Sequence, residues 1–311
     1  MATQLARRAF LSLSVGTTTF FLSNKWLQPV SAKPTAFVMR SNQVQLHNGV
    51  TLNYVENQPS FPDSDTIIFL HGYTDSWRSF ERNLPLLSNK FRILAIDQRG
   101  HGNSSRPSCC YTQADFAADI DAFMTAMKIE KATLVGHSMG GFIAHKVAVD
   151  YPQRVQRLVL IGAAPSAVKN PVLKELNDTV QALVEPIDPN FVREFQASTF
   201  YKPIPPAFLD TAVAESLKVP LMVWKQALAG LIVEDHAMRL DQIAAPTLIL
   251  WGDRDDIVTL QEQQALQTQI PNATLKIYRE TGHGLHVESP QRFVRDLYRF
   301  MRRSQSVVKH D

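Results

Sequence analysis

Short apolar runs rich in Val, Ile and Leu recur along the chain. They are Thr66 to Leu70, Phe91 to Ile96, Ala132 to Val135, Val155 to Ile161, Pro246 to Trp251 and Ala273 to Tyr278. Continuous apolar runs of this length are the pattern of parallel strands covered on both faces. Ahead of them, Gln43 to Leu46 and Thr51 to Glu56 flank His47-Asn48-Gly49. That arrangement predicts a hairpin, because Asn-Gly suits the tight turns that join antiparallel strands. Between the runs lie stretches with helical spacing. In Ala114 to Lys128 the residues Phe116, Ile120, Phe123, Met124 and Met127 recur on one face, and core packing is their expected role. The alternation predicts an α/β fold with a mostly parallel central sheet flanked by helices.

Residues 166–242 interrupt the alternation. Pro171, Pro186, Pro189, Pro203, Pro205, Pro206 and Pro220 divide the block into short helical pieces. The expected organisation is a core from 33–165 and 243–311, with a helical cap at 166–242 inserted after the sixth strand. The aromatics Phe191, Phe195, Phe200, Tyr201, Phe208 and Trp224 would roof an apolar pocket. A small helical cap also needs a core of its own, so about two-thirds of them are expected to be structural.

The run ending at Val135 leads into Gly136-His137-Ser138-Met139-Gly140, and a helical stretch follows from Gly141 to Val149. Strand, G-x-S-x-G and helix in that order predict a nucleophile elbow. The glycines keep side chains out of a crowded turn, and the helix start faces the developing negative charge. A nucleophilic serine needs a base and an acid that orients the base. Downstream, Trp251-Gly252-Asp253-Arg254-Asp255-Asp256 and Gly282-His283-Gly284 follow the last two strands. Sites of open α/β sheets lie beyond the carboxyl ends of strands.

Together these segments resemble the α/β-hydrolase superfamily. The resemblance is carried by His71-Gly72-Tyr73, Asp97-Gln98-Arg99-Gly100-His101-Gly102-Asn103-Ser104, Gly136 to Gly141, Trp251 to Asp255, and Gly282-His283 through Glu288-Ser289-Pro290. It covers about residues 40–303 and looks closest to the capped esterase, cofactor-free haloperoxidase and C–C hydrolase branch. The resemblance implies an α/β-hydrolase fold. It implies Ser138 as nucleophile, His283 as base and Asp255 as the orienting acid. The oxyanion hole would be the backbone N–H groups of Tyr73 and Met139. Asp253 and Asp256 compete with Asp255 for the acid role. The alternative acid position after the preceding strand, Gly162 to Ser166, holds no carboxylate. His286 is expected to be an ordinary helix-start residue. His71 and His101 are expected to brace loops, and His137 to pack beside the elbow.

A serine in place of the aspartate used by dehalogenase and epoxide hydrolase relatives points to attack on acyl carbon. The expected function is a carboxylesterase-like serine hydrolase acting on an apolar acyl substrate. Perhydrolysis, C–C bond hydrolysis and a binding-only receptor on the same scaffold stand as alternatives. No metal-ligand spacing, P-loop or dinucleotide fingerprint occurs, so no cofactor is expected. No basic patch suggests a nucleic-acid partner.

Arg7-Arg8-Ala9-Phe10-Leu11 resembles a twin-arginine export signal. The mildly apolar stretch Leu11 to Leu22 follows, and Val30-Ser31-Ala32 fits a cleavage site. Residues 1–32 hold Arg7, Arg8 and Lys25 and no acid, so they carry the whole formal net charge of +3. The expectation is an exported, periplasmic protein that meets the membrane only through this segment. A membrane-surface anchor or an organelle-targeting peptide is the alternative. Cys109 and Cys110 are the only cysteines. Neighbouring cysteines bridge only with strain, so two free thiols are expected.

Overall fold

The computed structural model describes residues 38–306 apart from 58, 60, 62, 63 and 88. The expected export segment lies outside the described residues. The central sheet has eight strands: β1 (Met39–Gln45), β2 (Thr51–Asn57), β3 (Thr66–Leu70), β4 (Arg92–Ile96), β5 (Ala132–His137), β6 (Val155–Ile161), β7 (Thr247–Gly252) and β8 (Ala273–Tyr278). Their order is β1-β2-β4-β3-β5-β6-β7-β8. The β1/β2 and β2/β4 pairs are antiparallel and the others parallel. The first strand begins four residues earlier than its sequence suggests. Its residues are mostly exposed, so pairing with β2, not burial, defines it.

The inner strands are apolar on both faces because both faces are covered. Ile68 and Leu70 of β3 join one core cluster, while Ile67 and Phe69 join another, as the two-residue period of a strand requires. The first cluster takes in Phe123 of α1 (Gln113–Ala126) and Phe142 of α2 (Met139–Asp150). The second takes in Phe293 and Leu297 of the last described helix, Pro290–Ser306. A reciprocal cap between Thr112 and Asp115 starts α1.

Four helices stand between β6 and β7: α3 (Pro171–Ala182), α4 (Pro189–Ser198), α5 (Pro206–Leu217) and α6 (Leu221–Val233). Proline opens three of them and Pro220 caps the fourth. A first-turn proline loses no intrahelical bond, so these residues start the helices and do not interrupt them. The helices pack as pairs, α3 on α6 and α4 on α5. Val223, Trp224, Ala227, Leu228 and Leu231 of α6 are buried, with Val223 beside Gly100 and Trp224 against Tyr73 of the core. Among the described residues no single helix is long and apolar enough to cross a membrane.

One expectation is overturned. Cys109 and Cys110 are joined in a disulfide. Cys110 takes a left-handed backbone, φ 75°, and Arg99 Nη1 donates to its carbonyl. A tertiary contact thus holds the loop in a conformation that local sequence reasoning treats as unfavourable.

Candidate active site

The elbow is built by close backbone packing. Ser138 sits between β5 and α2 with φ 51° and ψ −120°, a left-handed conformation forced on a non-glycine residue. A Cβ on Gly136 would collide with the Gly140 carbonyl oxygen, and one on Gly140 with that of Leu70. Only glycine lets the turn close this tightly. The Ser138 backbone N–H donates to Ile161 O at 2.8 Å, tying the elbow to β6. Ser138 is half-buried, and it lines a pocket with His283.

His283 and Asp255 come together from separate strand ends. His283 Nδ1 lies 2.9 Å from Asp255 Oδ2. Asp255 Oδ1 accepts from the backbone N–H groups of Ile257 at 2.9 Å and Val258 at 3.1 Å. One carboxylate oxygen therefore fixes its own loop while the other faces the imidazole. Gly162, φ 58°, gives this pair room: a Cβ there would stand 2.9 Å from His283 Nδ1. Asp256 is exposed, and Asp253 approaches Arg254 at 4.0 Å instead. Of the three carboxylates only Asp255 bonds the histidine. The far ring nitrogen, Nε2 of His283, is buried without a partner. It shares the pocket with Ser138, and no hydrogen bond joins the two.

Of the candidate oxyanion donors, Met139 follows Ser138 directly and Tyr73 lines the same pocket. Met139 occupies the first position of α2, where a helix leaves its N–H unsatisfied. Tyr73 follows Gly72 in the turn after β3, and its backbone N–H makes no hydrogen bond among the described residues. Behind them lies a group of neutral histidines. His71 bridges Gly72 O at 2.8 Å and the Gln98 N–H at 3.0 Å. His101 Nδ1 bonds Arg99 O at 2.8 Å. The His137 ring lies 5.0 Å from that of His283 and 4.4 Å from that of His286. His286 Nε2 meets Ser79 Oγ at 3.1 Å. Burial pushes His71 and His137 well below the ordinary histidine range, His101 to about 4 and His286 to about 3.

The inserted helices supply the opposite wall. Leu173, Leu176, Phe195, Phe208, Leu228 and Leu231 line the pocket. Phe195, Phe200 and Phe208 face it, while Trp224 is fully buried and Tyr201 is exposed. The aromatics thus divide more evenly between pocket and packing than expected. One functional candidate gives no sequence signal. Asp75 lines the pocket, and its Oδ1 accepts from Gln196 Nε2 of α4 at 3.2 Å. Burial raises its carboxyl to about 6, against the lowering effect of bonds from Gln196 and Ser79. In the sequence it looks like a solvated turn acid. Among the described residues no group of three or more His, Cys, Asp or Glu side chains could hold a metal ion.

The family model for the alpha/beta hydrolase fold matches residues 65–290. The chain belongs to that family, and the protein is an α/β-fold hydrolase. It is 29% identical over 276 residues to a 2-hydroxy-6-oxononadienedioate/2-hydroxy-6-oxononatrienedioate hydrolase of Paraburkholderia phymatum, covering 84% of this chain and 95% of the relative. A hydrolase of the same name from Paraburkholderia xenovorans is 30% identical, covering 76% of this chain and 87% of the relative. Among solved structures, an esterase from Exiguobacterium antarcticum shares the fold with a TM-score of 0.77 and 23% identity, covering 85% of this chain and all of that one.

Proposed function

We propose that the protein is a serine hydrolase that cleaves an ester or related acyl substrate through an acyl-enzyme. The observation that carries this reading is the Asp255–His283 hydrogen bond at the wall of an apolar pocket that also holds Ser138 on its elbow. In the proposed reaction Ser138 Oγ attacks the acyl carbon as its proton passes to His283 Nε2. The carbonyl electron pair moves to oxygen, which accepts hydrogen bonds from the Tyr73 and Met139 N–H groups. Asp255 orients the imidazole and stabilises the imidazolium. The tetrahedral centre collapses, and the leaving alcohol takes the proton from His283. Water then adds to the acyl-serine by the same route in reverse roles, releasing the acid and free Ser138. The inserted helices act as the cap that encloses the acyl group.

C–C bond hydrolysis is the second reading, favoured by the names of the Paraburkholderia relatives. The charge of the pocket argues for the ester. A dienedioate is a dianion, whereas this pocket presents Asp75 and Glu215, and Arg78, the one guanidinium lining it among the described residues, already lies against Glu81 and Glu215. We further propose export, on the paired arginines, the weakly apolar stretch and the small-residue site ending at Ala32. A mature N-terminus at Lys33 in protein from the native host supports it, and an intact terminus in a cytosolic fraction overturns it.

A panel of p-nitrophenyl esters of rising chain length, run beside a 2-hydroxy-6-oxo-dienedioate, tests the function. Ester turnover that falls at least about a thousandfold in Ser138→Ala is the expected result. Turnover unchanged by that substitution, or turnover of the dienedioate alone, overturns the ester reading. Tight binding with no turnover of any substrate would favour a receptor.

A further inference from the structure

We infer that Asp75 is a charge filter: its carboxylate makes this pocket accept neutral acyl substrates and reject those that carry a carboxylate of their own. The inference deepens the ester reading and rests on it for its turnover assay.

The geometry has three parts. The first is position. A Cβ placed on Gly72 would stand 3.1 Å from Asp75 Oδ2 and 3.0 Å from His137 Nδ1. The carboxylate therefore overlooks the backbone step that ends in the Tyr73 N–H, and it lines one pocket with Ser138 and His283. The second is the lack of a counter-charge. Among the described residues no lysine or arginine forms an ion pair with Asp75. Arg78 is engaged by Glu81 at 3.2 Å and Glu215 at 3.7 Å, and Glu215 also holds Lys218. The third is how the carboxylate is held. Gln196 Nε2 donates to Asp75 at 3.2 Å and to Ser216 Oγ at 2.8 Å, while Ser216 Oγ donates to the Thr74 carbonyl at 3.2 Å. The anion is thus clamped between the turn after β3 and the inserted helices α4 and α5.

The groups around Asp75 leave its charge uncancelled. His137 and His286 are held neutral by burial. His283 faces it, as do the mutually paired Arg78 and Glu215. A second carboxylate entering this space would lose its hydration beside a fixed like charge, which is how a site rejects a wrong ligand. Leu173, Phe195 and Leu231 offer that anion nothing in return. The acid released at the end of each turnover is itself an anion, so the same charge favours its departure. Asp75 titrates near 6, so the filter should strengthen as pH rises through that value.

The test uses the full chain and two esters of matched length, p-nitrophenyl pentanoate and mono-p-nitrophenyl glutarate. Wild type should prefer the neutral ester in kcat/KM at pH 8. Asp75→Asn should shrink that preference at least tenfold, mainly through KM for the glutarate. In wild type the preference should also narrow between pH 8 and pH 5, where the glutarate stays charged and Asp75 does not. The variant should show no such narrowing. A binding arm needs no turnover: calorimetric Kd values for pentanamide and pentanoate should differ widely in wild type and converge at least tenfold in Asp75→Asn. Failure of both esters to turn over would sink the ester reading alone, because the binding arm still decides the filter. A preference that Asp75→Asn leaves unchanged, or one that ignores pH in wild type, overturns the filter.

Discussion

The Tyr73 hydroxyl donates to the backbone carbonyl of Trp224 at 2.6 Å. Tyr73, which lines the same pocket as Ser138, therefore also ties the core to the inserted helix α6. Its ring packs edge-on against Trp224 at 5.5 Å and Phe195 at 6.0 Å. The wall of the pocket and its roof are mechanically one unit at this point.

Removing that tie should loosen the roof without emptying it. Tyr73→Phe keeps both ring contacts and loses one buried hydrogen bond, at a cost of about 1 kcal/mol. The expected result is a Tm lower by about 2–4 °C and a raised KM for long-chain esters. A variant with unchanged Tm and KM would show that the bond does not hold the roof.

The acid role can be resolved by comparing three neighbours. Asp255→Asn should lower kcat by about three to four orders of magnitude, the scale of loss when a triad acid is replaced. Asp253→Asn and Asp256→Asn should stay within a few-fold of wild type, since neither carboxylate bonds His283. Steady-state kinetics on the three purified variants checks this. A large loss in Asp253→Asn with a small one in Asp255→Asn would reverse the assignment.

The histidine-rich interior predicts acid lability. Burial lowers the pKa of His71, His101, His137, His145, His236 and His286, with His101 and His236 near 4 and His286 near 3. His145 Nδ1 and His236 Nε2 stand 2.6 Å apart in one such site. Below about pH 6.5 the unfolded chain binds protons on these rings and the folded chain does not, so stability falls as pH falls. Well below that point each ring costs about 1.4 kcal/mol per pH unit. Urea midpoints should be steady from pH 8 to 7 and drop steeply between pH 6.5 and 4. A flat profile down to pH 5 would contradict the buried neutral state.

Asp75 works with the opposite sign. Its folded pKa, about 6, lies above the ordinary carboxylate value. The stability linked to its protonated form is present below about pH 4 and is lost as pH rises through 6. Asp75→Asn should therefore stabilise the protein at pH 8, by up to about 3 kcal/mol before allowance for the water its pocket admits. At pH 4 the substitution should change little. Equal effects at the two pH values, read by urea denaturation, would rule out a raised pKa.

Much of this architecture is readable from local pattern. The inner strands are buried on both faces, so they appear as continuous apolar runs. The elbow depends on contacts between residues a few positions apart, Gly136 with Gly140, so its signature is contiguous. The segments around Asp255 and His283 stand out because each follows a strand end, whereas the choice of Asp255 over Asp253 and Asp256 comes from the family resemblance alone. Other features depend on distant parts of the chain. Asp75 acquires its environment from Gln196, 121 positions away, and nothing in Thr74-Asp75-Ser76 announces it. The loop that carries the cysteine bridge is contacted by Arg99, which donates to the Cys110 carbonyl from outside the loop. Which aromatics of the inserted helices face the pocket is decided by how α3 to α6 pack, and their spacing alone does not contain that choice.

The helices between β6 and β7 also divide the chemistry in time. Ser138 and both candidate oxyanion donors leave the ribosome before the insertion, and Asp255 and His283 leave after it. The site cannot assemble until β7 docks on β6, with Leu158 opposite Thr247, and closes the long excursion that starts after Ile161. The entropy of such a closure grows only with the logarithm of loop length, about 0.6 kcal/mol per doubling. The sheet is therefore nearly indifferent to how much chain is looped out there. A roof of different length or composition could be spliced in at this junction at little cost to the scaffold, and it would change what the pocket admits without moving Ser138, Asp255 or His283.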